Sequence, residues 1–410
     1  MLSNSEITSR SWLETHPSAR WPEPDENELN PFIKWRKLLW SWHRAIEKGW
    51  SDEDFVGVVT EINKEIEEID GSGFRITPSG TWDDVSEFLP EFCLWKNDTV
   101  NVGGSHKARH LMGLLLHLAV DAVDSDRRLA ISSCGNAALG AATVASAVNR
   151  SIDVFIPTWA NPDIVKKLEN LGATIHVCER KTGEDGDPCM NRFQEAVQLG
   201  SVPFSVQAAE NIMALDGGRS IGWELAEQIS TIEIDSLFVQ VGGGALLTSC
   251  AIGLLEAQKF GVLDKVPRIS AVQTEGCAPF DRAWGGLAQL VKAGEKVEYA
   301  IANSETLMTS WEKPASLATG ILDDITYDWV GVVNALAKTG GGSIVASETE
   351  IVAAYKLVNS LGVAVEPTGS ASVAGVINAL KSGYINGSDR VGVLLTGIEH
   401  SIKAGERVTE

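Results

Sequence analysis

Gly103-Gly104-Ser105-His106-Lys107-Ala108-Arg109 places one lysine on a glycine-rich turn directly ahead of the strongly apolar run Leu111 to Val120. A lysine amine that is to condense with an aldehyde cofactor must be partly desolvated, so that it loses its proton near neutral pH, and held rigidly enough to keep its direction. The turn and the helix expected over Leu111 to Val120 supply both conditions. The plain alternative is a helix capped by Ser105, with Lys107 and Arg109 solvated in its first turn. The rest of the chain has to decide between the two.

Downstream, short β-rich runs alternate with helical ones, the pattern of parallel strands joined by crossover helices. Leu129 to Ser133 reads as a strand, Asn136 to Val148 as a small-residue helix, Ile152 to Pro157 as a strand, Pro162 to Leu171 as a helix and Thr174 to Cys178 as a strand. The alternation resumes with strand Leu237 to Val241, helix Leu246 to Lys259 and strand Arg268 to Thr274. It ends with helices Glu350 to Leu361 and Ser370 to Lys381 and strand Val391 to Thr396. Between these units Ala300 to Gly342 reads as irregular, with Gly340-Gly341-Gly342 as a turn, and the polar tail beyond Ile402 is expected to fray. The fold class is α/β, with mostly parallel twisted sheets.

Upstream, Trp12, Trp21, Trp35, Trp40, Trp42 and Trp50 crowd a segment unlike the rest in composition. Trp35, Leu38, Leu39, Trp42 and Ile46 recur at helical spacing, and after a cap at Ser51 so do Phe55, Val58, Val59, Ile62, Ile66 and Ile69. Gly71-Ser72-Gly73 ends the second helix. Two amphipathic helices in a hairpin need something to bury their stripes, either the body of the protein or a second subunit.

The 410 residues allow two or three domains, and 44% hydrophobic content is ample for their cores. A formal net charge of −21 repels nucleic acid and anionic membrane surfaces, so neither is expected as a partner. Met1 to Trp12 has no apolar core of signal-peptide length, and the run Leu114 to Val120 is broken by His117 and too short to span a bilayer, which points to the cytoplasm. Cys93, Cys134, Cys178, Cys189, Cys250 and Cys277 form no CxxC pair and no cluster with metal-ligand spacing. Reduced thiols and no metal site are expected.

Three further motifs sit where strands end. Gly242-Gly243-Gly244 follows a strand and precedes a helix, so free amides and the helix dipole can cradle a phosphate; it lacks both the GxGxxG spacing and the Walker lysine. Ser132-Ser133-Cys134-Gly135-Asn136-Ala137-Ala138 links a strand to a helix at the sheet edge where ligands bind, although an ordinary capped turn uses the same residues. Leu394-Leu395-Thr396-Gly397 exposes a hydroxyl at a third strand end. No base near Cys134 in sequence marks it as a nucleophile; His106 reads as a proton shuttle or a packed ring, and His110 and His117 as helix-face residues.

In order and spacing, the lysine turn, the asparagine loop, the glycine turn and the terminal Leu-Leu-Thr-Gly resemble the fold-type II pyridoxal-phosphate enzymes, the tryptophan synthase β-like superfamily, over roughly residues 75 to 400. Lys96-Asn97-Asp98 and the segment from Ile156-Pro157 through Gly172-Ala173-Thr174 share in the likeness. The nearest likeness within it is to threonine synthases, through Val272-Gln273-Thr274-Glu275-Gly276-Cys277-Ala278-Pro279, Ser316-Leu317-Ala318 and Val365-Glu366-Pro367-Thr368-Gly369-Ser370-Ala371-Ser372. The family's Gly-Ser-Phe-Lys-Asp-Arg stands here as Gly104-Ser105-His106-Lys107-Ala108-Arg109, and its Ser-Ser-Gly-Asn-Thr as Ser133-Cys134-Gly135-Asn136-Ala137. Loss of a hydroxyl at Ala137 counts against a phosphohomoserine substrate.

The resemblance implies two three-layer αβα domains with pyridoxal 5′-phosphate between them. Residues 73–103 and 209–403 would form the large cofactor-binding domain, 104–208 a small mobile domain carrying the lysine and the asparagine loop, and 1–72 a helical extension. It implies that Lys107 anchors the cofactor and acts as general base, that Gly242, Gly243, Gly244 and Ala245 bind its phosphate, that Asn136 meets its ring oxygen and that Thr396 faces its pyridine nitrogen. Ser105, Ser133, Cys134, Gly135 and Ala137 would handle the substrate. The implied activity is that of a homodimeric lyase or replacement enzyme acting on an L-amino acid by α-proton removal and β- or γ-elimination. Serine/threonine dehydratase-like or cysteine synthase-like chemistry, or a catalytically silent ligand-binding member, are the alternatives.

Overall fold

The computed structural model describes residues 15–400 apart from 24–26 and 86; Trp12 and the tail beyond Ile402 lie outside the described residues. Of the longer elements, helices α1 (Trp40–Glu47) and α2 (Asp52–Asp70) come first, after a short helical turn at Pro31–Lys34, followed by strands β1 (Ser79–Asp83) and β2 (Phe92–Asn97) and the lysine helix α3 (Lys107–Val120). Next come β3 (Leu129–Ser132), α4 (Asn136–Ala147), β4 (Ile152–Pro157), α5 (Pro162–Asn170), β5 (Thr174–Cys178), α6 (Pro188–Gln198) and β6 (Val202–Pro203). Then α7 (Ser220–Ile229), β7 (Ser236–Gln240), α8 (Ala245–Lys259), β8 (Arg268–Thr274), α9 (Pro279–Leu290) and α10 (Trp329–Thr339) follow. Strand β9 (Ser343–Ala346), α11 (Glu348–Ser360), α12 (Ala371–Ser382) and β10 (Arg390–Leu395) complete the order.

The strands form a six-stranded sheet, β1-β2-β10-β7-β8-β9, and a four-stranded sheet, β5-β4-β3-β6. Among the described residues only β1 against β2 is antiparallel. The sequence explains this: Ile152-Asp153-Val154-Phe155-Ile156 and Ser236-Leu237-Phe238-Val239-Gln240 are nearly continuous apolar runs without alternation, as strands covered on both faces require. Ladders such as Asp153 opposite Thr174 and Phe238 opposite Ser270 bring the strand ends of each sheet into line. The Ser133–Asn136 loop leaves β3, the glycine turn leaves β7 and Thr396 leaves β10, so all three motifs occupy carboxyl ends of strands, the edge where open α/β sheets bind ligands.

The N-terminal helices dock onto the helix that carries the lysine. Phe32, Trp35, Leu38, Leu39, Phe55 and Val59 share one core with Leu111, Leu114 and Leu115 of α3 and Ala138 and Ala142 of α4. At roughly 1.5–3 kcal/mol for each large apolar side chain fully buried, this contact is strong. The first helix does not run continuously from Trp35, as its spacing suggested. Leu39 is extended (φ −70°, ψ 133°), because the buried Asp216 carboxylate accepts the amides of Trp40 and Ser41, each at 2.9 Å, and so starts α1 afresh. Ile46 and Ile69, counted in the apolar stripes, face outward. The second helix follows expectation, with Ser51 and Asp54 forming a capping box and Gly71 closing it in the left-handed region (φ 82°).

The stretch Ala300 to Gly342 is not irregular throughout. It contains α10, whose Trp329, Val330, Val333 and Leu336 form a buried stripe ended by Gly340 at φ 71°. Helix α3 also starts four residues before the expected Leu111. Arg109 is buried rather than solvated, and so are His110 and His117, whose ring nitrogens meet Ala214 O and the Asp216 carboxylate at 2.9 Å each.

Candidate active site

The glycine pair fixes where the lysine stands. Gly103 (φ 64°) and Gly104 (φ 69°) take the left-handed conformation, and a Cβ on Gly104 would run into the Ile398 side chain. That close approach lets the turn pair with the chain leaving β10: Ile398 N donates to Gly104 O at 2.9 Å, His106 N donates to Thr396 O at 3.2 Å, and Ser105 bridges to Gly397. Ser105 Oγ accepts the Lys107 amide at 3.4 Å, a loose cap. Two residues on, Arg109 reaches into a buried network, with Nε to Asp98 at 2.7 Å and Nη1 to Glu224 at 2.5 Å, while Lys96 Nζ meets Glu224 at 2.6 Å. Two cations balance two carboxylates there. Lys107 is thus clamped between a strand end and a charge-neutral core network.

Lys107 itself is half-buried at the wall of a cavity of about 630 Å³. Burial lowers its pKa, while the carboxylates of Asp323, Glu366 and Asp328 work in the opposite direction without cancelling the shift. The amine is thereby easier to obtain uncharged. His106 is held well below the usual histidine range by burial, with Lys107 beside it, and stacks edge-on to His110 at 6.0 Å. It is a packed neutral ring.

The glycine turn lies across the cavity. Gly244 is left-handed (φ 98°) and starts α8; a Cβ on Gly242 would meet Asp323 Oδ2 at 2.5 Å, and the Gly243 amide reaches the same carboxylate. The turn therefore already holds an anion, supplied by the chain. Burial pushes the Asp323 carboxyl up to about 6. Asp328, which accepts the amides of Ala208 and Ala209 at 3.0 and 2.8 Å, is pushed up to about 7, also by burial. If the cradle selects anions, protonation of Asp323 frees it. Sulfate, which does not titrate in this range, should raise the melting temperature of the unloaded protein more at pH 5 than at pH 8. In Asp323→Asn the gain at pH 8 should rise towards the pH 5 level, the remaining difference coming from Asp328 and Glu366, which titrate near 7 in the same cavity; an unchanged pH dependence in the variant would remove Asp323 from the cradle's control.

Asn136 opens α4 and is held at both ends. Its Nδ2 donates to Glu366 Oε1 at 2.5 Å, and its Oδ1 meets His400 Nε2 at 2.5 Å. Burial pushes Glu366 up to about 7 and His400 down to about 4, so at neutral pH the imidazole is uncharged. Ser133, Cys134, Gly135 and Ala137 line the same cavity, as do Ser105, Gly242, Gly243, Gly244, Ala245 and Thr396. Burial raises the Cys134 thiol pKa, consistent with an inert small residue. Sequence reading missed Glu366, His400, Asp323, Asp328 and Gln240. Glu366 stood inside a quoted family-like stretch and the two aspartates inside the segment read as irregular, so only their context was visible.

These residues fit a phosphorylated aldehyde cofactor: a desolvated lysine amine, an anion-accepting amide turn at a helix start, a fixed amide at Asn136 and a hydroxyl at Thr396 face one cavity of adequate size. The family model for pyridoxal-phosphate dependent enzyme matches residues 73–397. The threonine synthase of Methanosarcina acetivorans is 28% identical over 201 residues, 49% of this chain but only 45% of that protein. The threonine synthase of Mycobacterium tuberculosis is 25% identical over 307 residues, 74% of this chain and 75% of the other. An L-serine dehydratase of Saccharomyces cerevisiae is 26% identical over 288 residues, covering 68% and 78%. In fold, maize serine racemase superposes with a TM-score of 0.62 at 19% identity, over 85% of this chain and 94% of that one. Among the described residues no helix is long and apolar enough to cross a membrane. The chain belongs to the pyridoxal-phosphate dependent enzyme family, and its cofactor is pyridoxal 5′-phosphate.

Proposed function

We propose that the protein is a lyase acting on an L-amino acid by α-proton removal and elimination of a β or γ substituent, with replacement by an incoming nucleophile as the variant of the same chemistry. The observation that carries this reading is the gathering of Lys107, Asn136, Thr396 and the Gly242–Ala245 turn around one cavity. Bound pyridoxal phosphate supplies the electron sink that makes the α-proton acidic. Lys107 Nζ would anchor it and would be placed to accept the substrate α-proton as general base. The amides of Gly242, Gly243, Gly244 and Ala245 would bind its phosphate; Asn136, braced by Glu366 and His400, would hold its ring oxygen; and the Thr396 hydroxyl would serve its pyridine nitrogen. The amides of Ser133 to Ala137, with Ser105 lining the same cavity, would take the substrate carboxylate.

The charge of the cavity narrows the leaving group. Among its described lining residues the carboxylates are Asp323, Asp328, Glu366 and Glu399, and Lys107 is the one lysine or arginine. A departing phosphate dianion would meet carboxylates and no lysine or arginine other than Lys107 in the lining, which supports water or acetate over phosphate. The loaded protein should therefore release ammonia from serine or threonine, or acetate from O-acetylserine, and leave phosphohomoserine intact. Phosphate release with kcat/KM above that of the other three would overturn the assignment of the leaving group. A protein that gains the visible band on loading with cofactor but turns over none of the four substrates would overturn the lyase reading in favour of a silent binding role.

A further inference from the structure

Gln240 closes β7 and lies beside Thr396, which follows the neighbouring parallel strand β10; both line the cavity. Its Nε2 donates to Thr396 Oγ1 at 2.6 Å and lies 3.2, 3.4 and 3.3 Å from the carbonyl oxygens of Thr368, Gly369 and Leu394. Three carbonyls around one terminal atom settle which end of the amide carries the protons, because a carbonyl oxygen can only accept. Thr396 Oγ1 is accordingly an acceptor from Gln240. A hydroxyl that accepts in one direction keeps its single proton for another, and among the described residues no protein group takes it. Gln240 Oε1 has no protein partner either, although the residue is 3% exposed.

We infer that Gln240 is a positioning residue: it orients the Thr396 hydroxyl so that its proton is donated into the cavity, to the nitrogen of the cofactor ring, which is thereby kept unprotonated. This rests on the reading of Thr396 given under Proposed function. Without the amide donor, the hydroxyl is free to turn its proton onto the Thr368, Gly369 or Leu394 carbonyls that Gln240 now faces, and the ring loses its donor. With a carboxylate in place of the amide, the proton is drawn onto the carboxylate and a lone pair is presented to the ring. The two changes act on the same atom by different routes.

The test uses the loaded protein and four variants: Gln240→Met, close in shape without a donor; Gln240→Glu, which keeps the shape and only accepts; Thr396→Val; and Gln240→Met combined with Thr396→Val. The readouts are the cofactor dissociation constant and the position of the visible absorption band, with melting temperatures of the unloaded variants reporting folding separately. Gln240→Met and Thr396→Val should each weaken cofactor binding about tenfold, the worth of one hydrogen bond, and the double variant should be no worse than either. Gln240→Glu should move the visible band further than Gln240→Met. Additive losses in the double variant, or a band that responds to Thr396→Val but to neither glutamine variant, would overturn the inference while leaving the cofactor reading intact. A wild-type protein without a visible band would instead defeat the reading of Thr396 on which it rests.

Discussion

Lys107→Ala should remove the visible absorption band of the loaded protein and lower turnover by at least about 10³-fold, the upper part of the range for losing a positioned general base. The same substitution also removes the covalent anchor, so cofactor should leave on dialysis although the Gly242–Gly244 turn is intact. Lys107→Arg sharpens the test. Arginine keeps the positive charge that Asp323, Glu366 and Asp328 face, but it stays protonated in proteins and cannot serve as a nucleophilic amine. If the lysine only balanced those carboxylates, arginine would preserve activity; on the present reading it is as inactive as alanine. Exchange of the substrate α-proton with solvent, followed by NMR in heavy water, gives a second readout. Persistence of exchange in both variants would move the base to another group.

Local pattern carried much of the fold. The bounds of β4, β5 and β8 follow from runs of β-branched and aromatic residues between turn residues, information contained within ten positions. Helix α10 was lost for an equally local reason: Val330, Val332 and Val333 favour strands, and Gly340-Gly341-Gly342 reads as loop, so a helical stripe with Trp329 and Leu336 went unseen. The break at Leu39 was not legible at all, since the group that causes it, Asp216, lies far along the chain. The same distance hid half of the site. Asn136 and Glu366 are 230 residues apart, Asn136 and His400 are 264 apart, and Gln240 and Thr396 are 156 apart. Periodicity reports on one element at a time. It identifies which strand ends carry loops with useful chemistry, but which acids and amides from other loops meet them depends on how the sheets are ordered.

Arg109 shows what such a long-range partner contributes. Arg109→Met should destabilise the protein by about 3–5 kcal/mol, the usual cost of breaking a buried ion pair from one side. Methionine fills much of the same volume, so the loss is electrostatic: Asp98 and Glu224, both fully buried, would face Lys96 alone and carry one uncompensated negative charge. Burial by itself raises both carboxyls, yet both lie below the usual range, chiefly because Arg109 sits beside them. A depressed carboxyl pKa adds stability above the unfolded value, and that stability is lost as pH falls through the folded one. The gap in unfolding free energy between wild type and Arg109→Met should therefore be widest near pH 7 and above, and should narrow as pH falls through the raised pKa of the uncompensated buried carboxyl in the variant, where protonation neutralises its excess charge. Denaturant unfolding at several pH values measures it. A gap that stays constant with pH would mean that Arg109 acts by packing rather than by charge. Because Arg109 lies two residues from Lys107 on the same helix turn, the variant that remains folded should also hold its lysine less firmly, with cofactor affinity falling alongside stability.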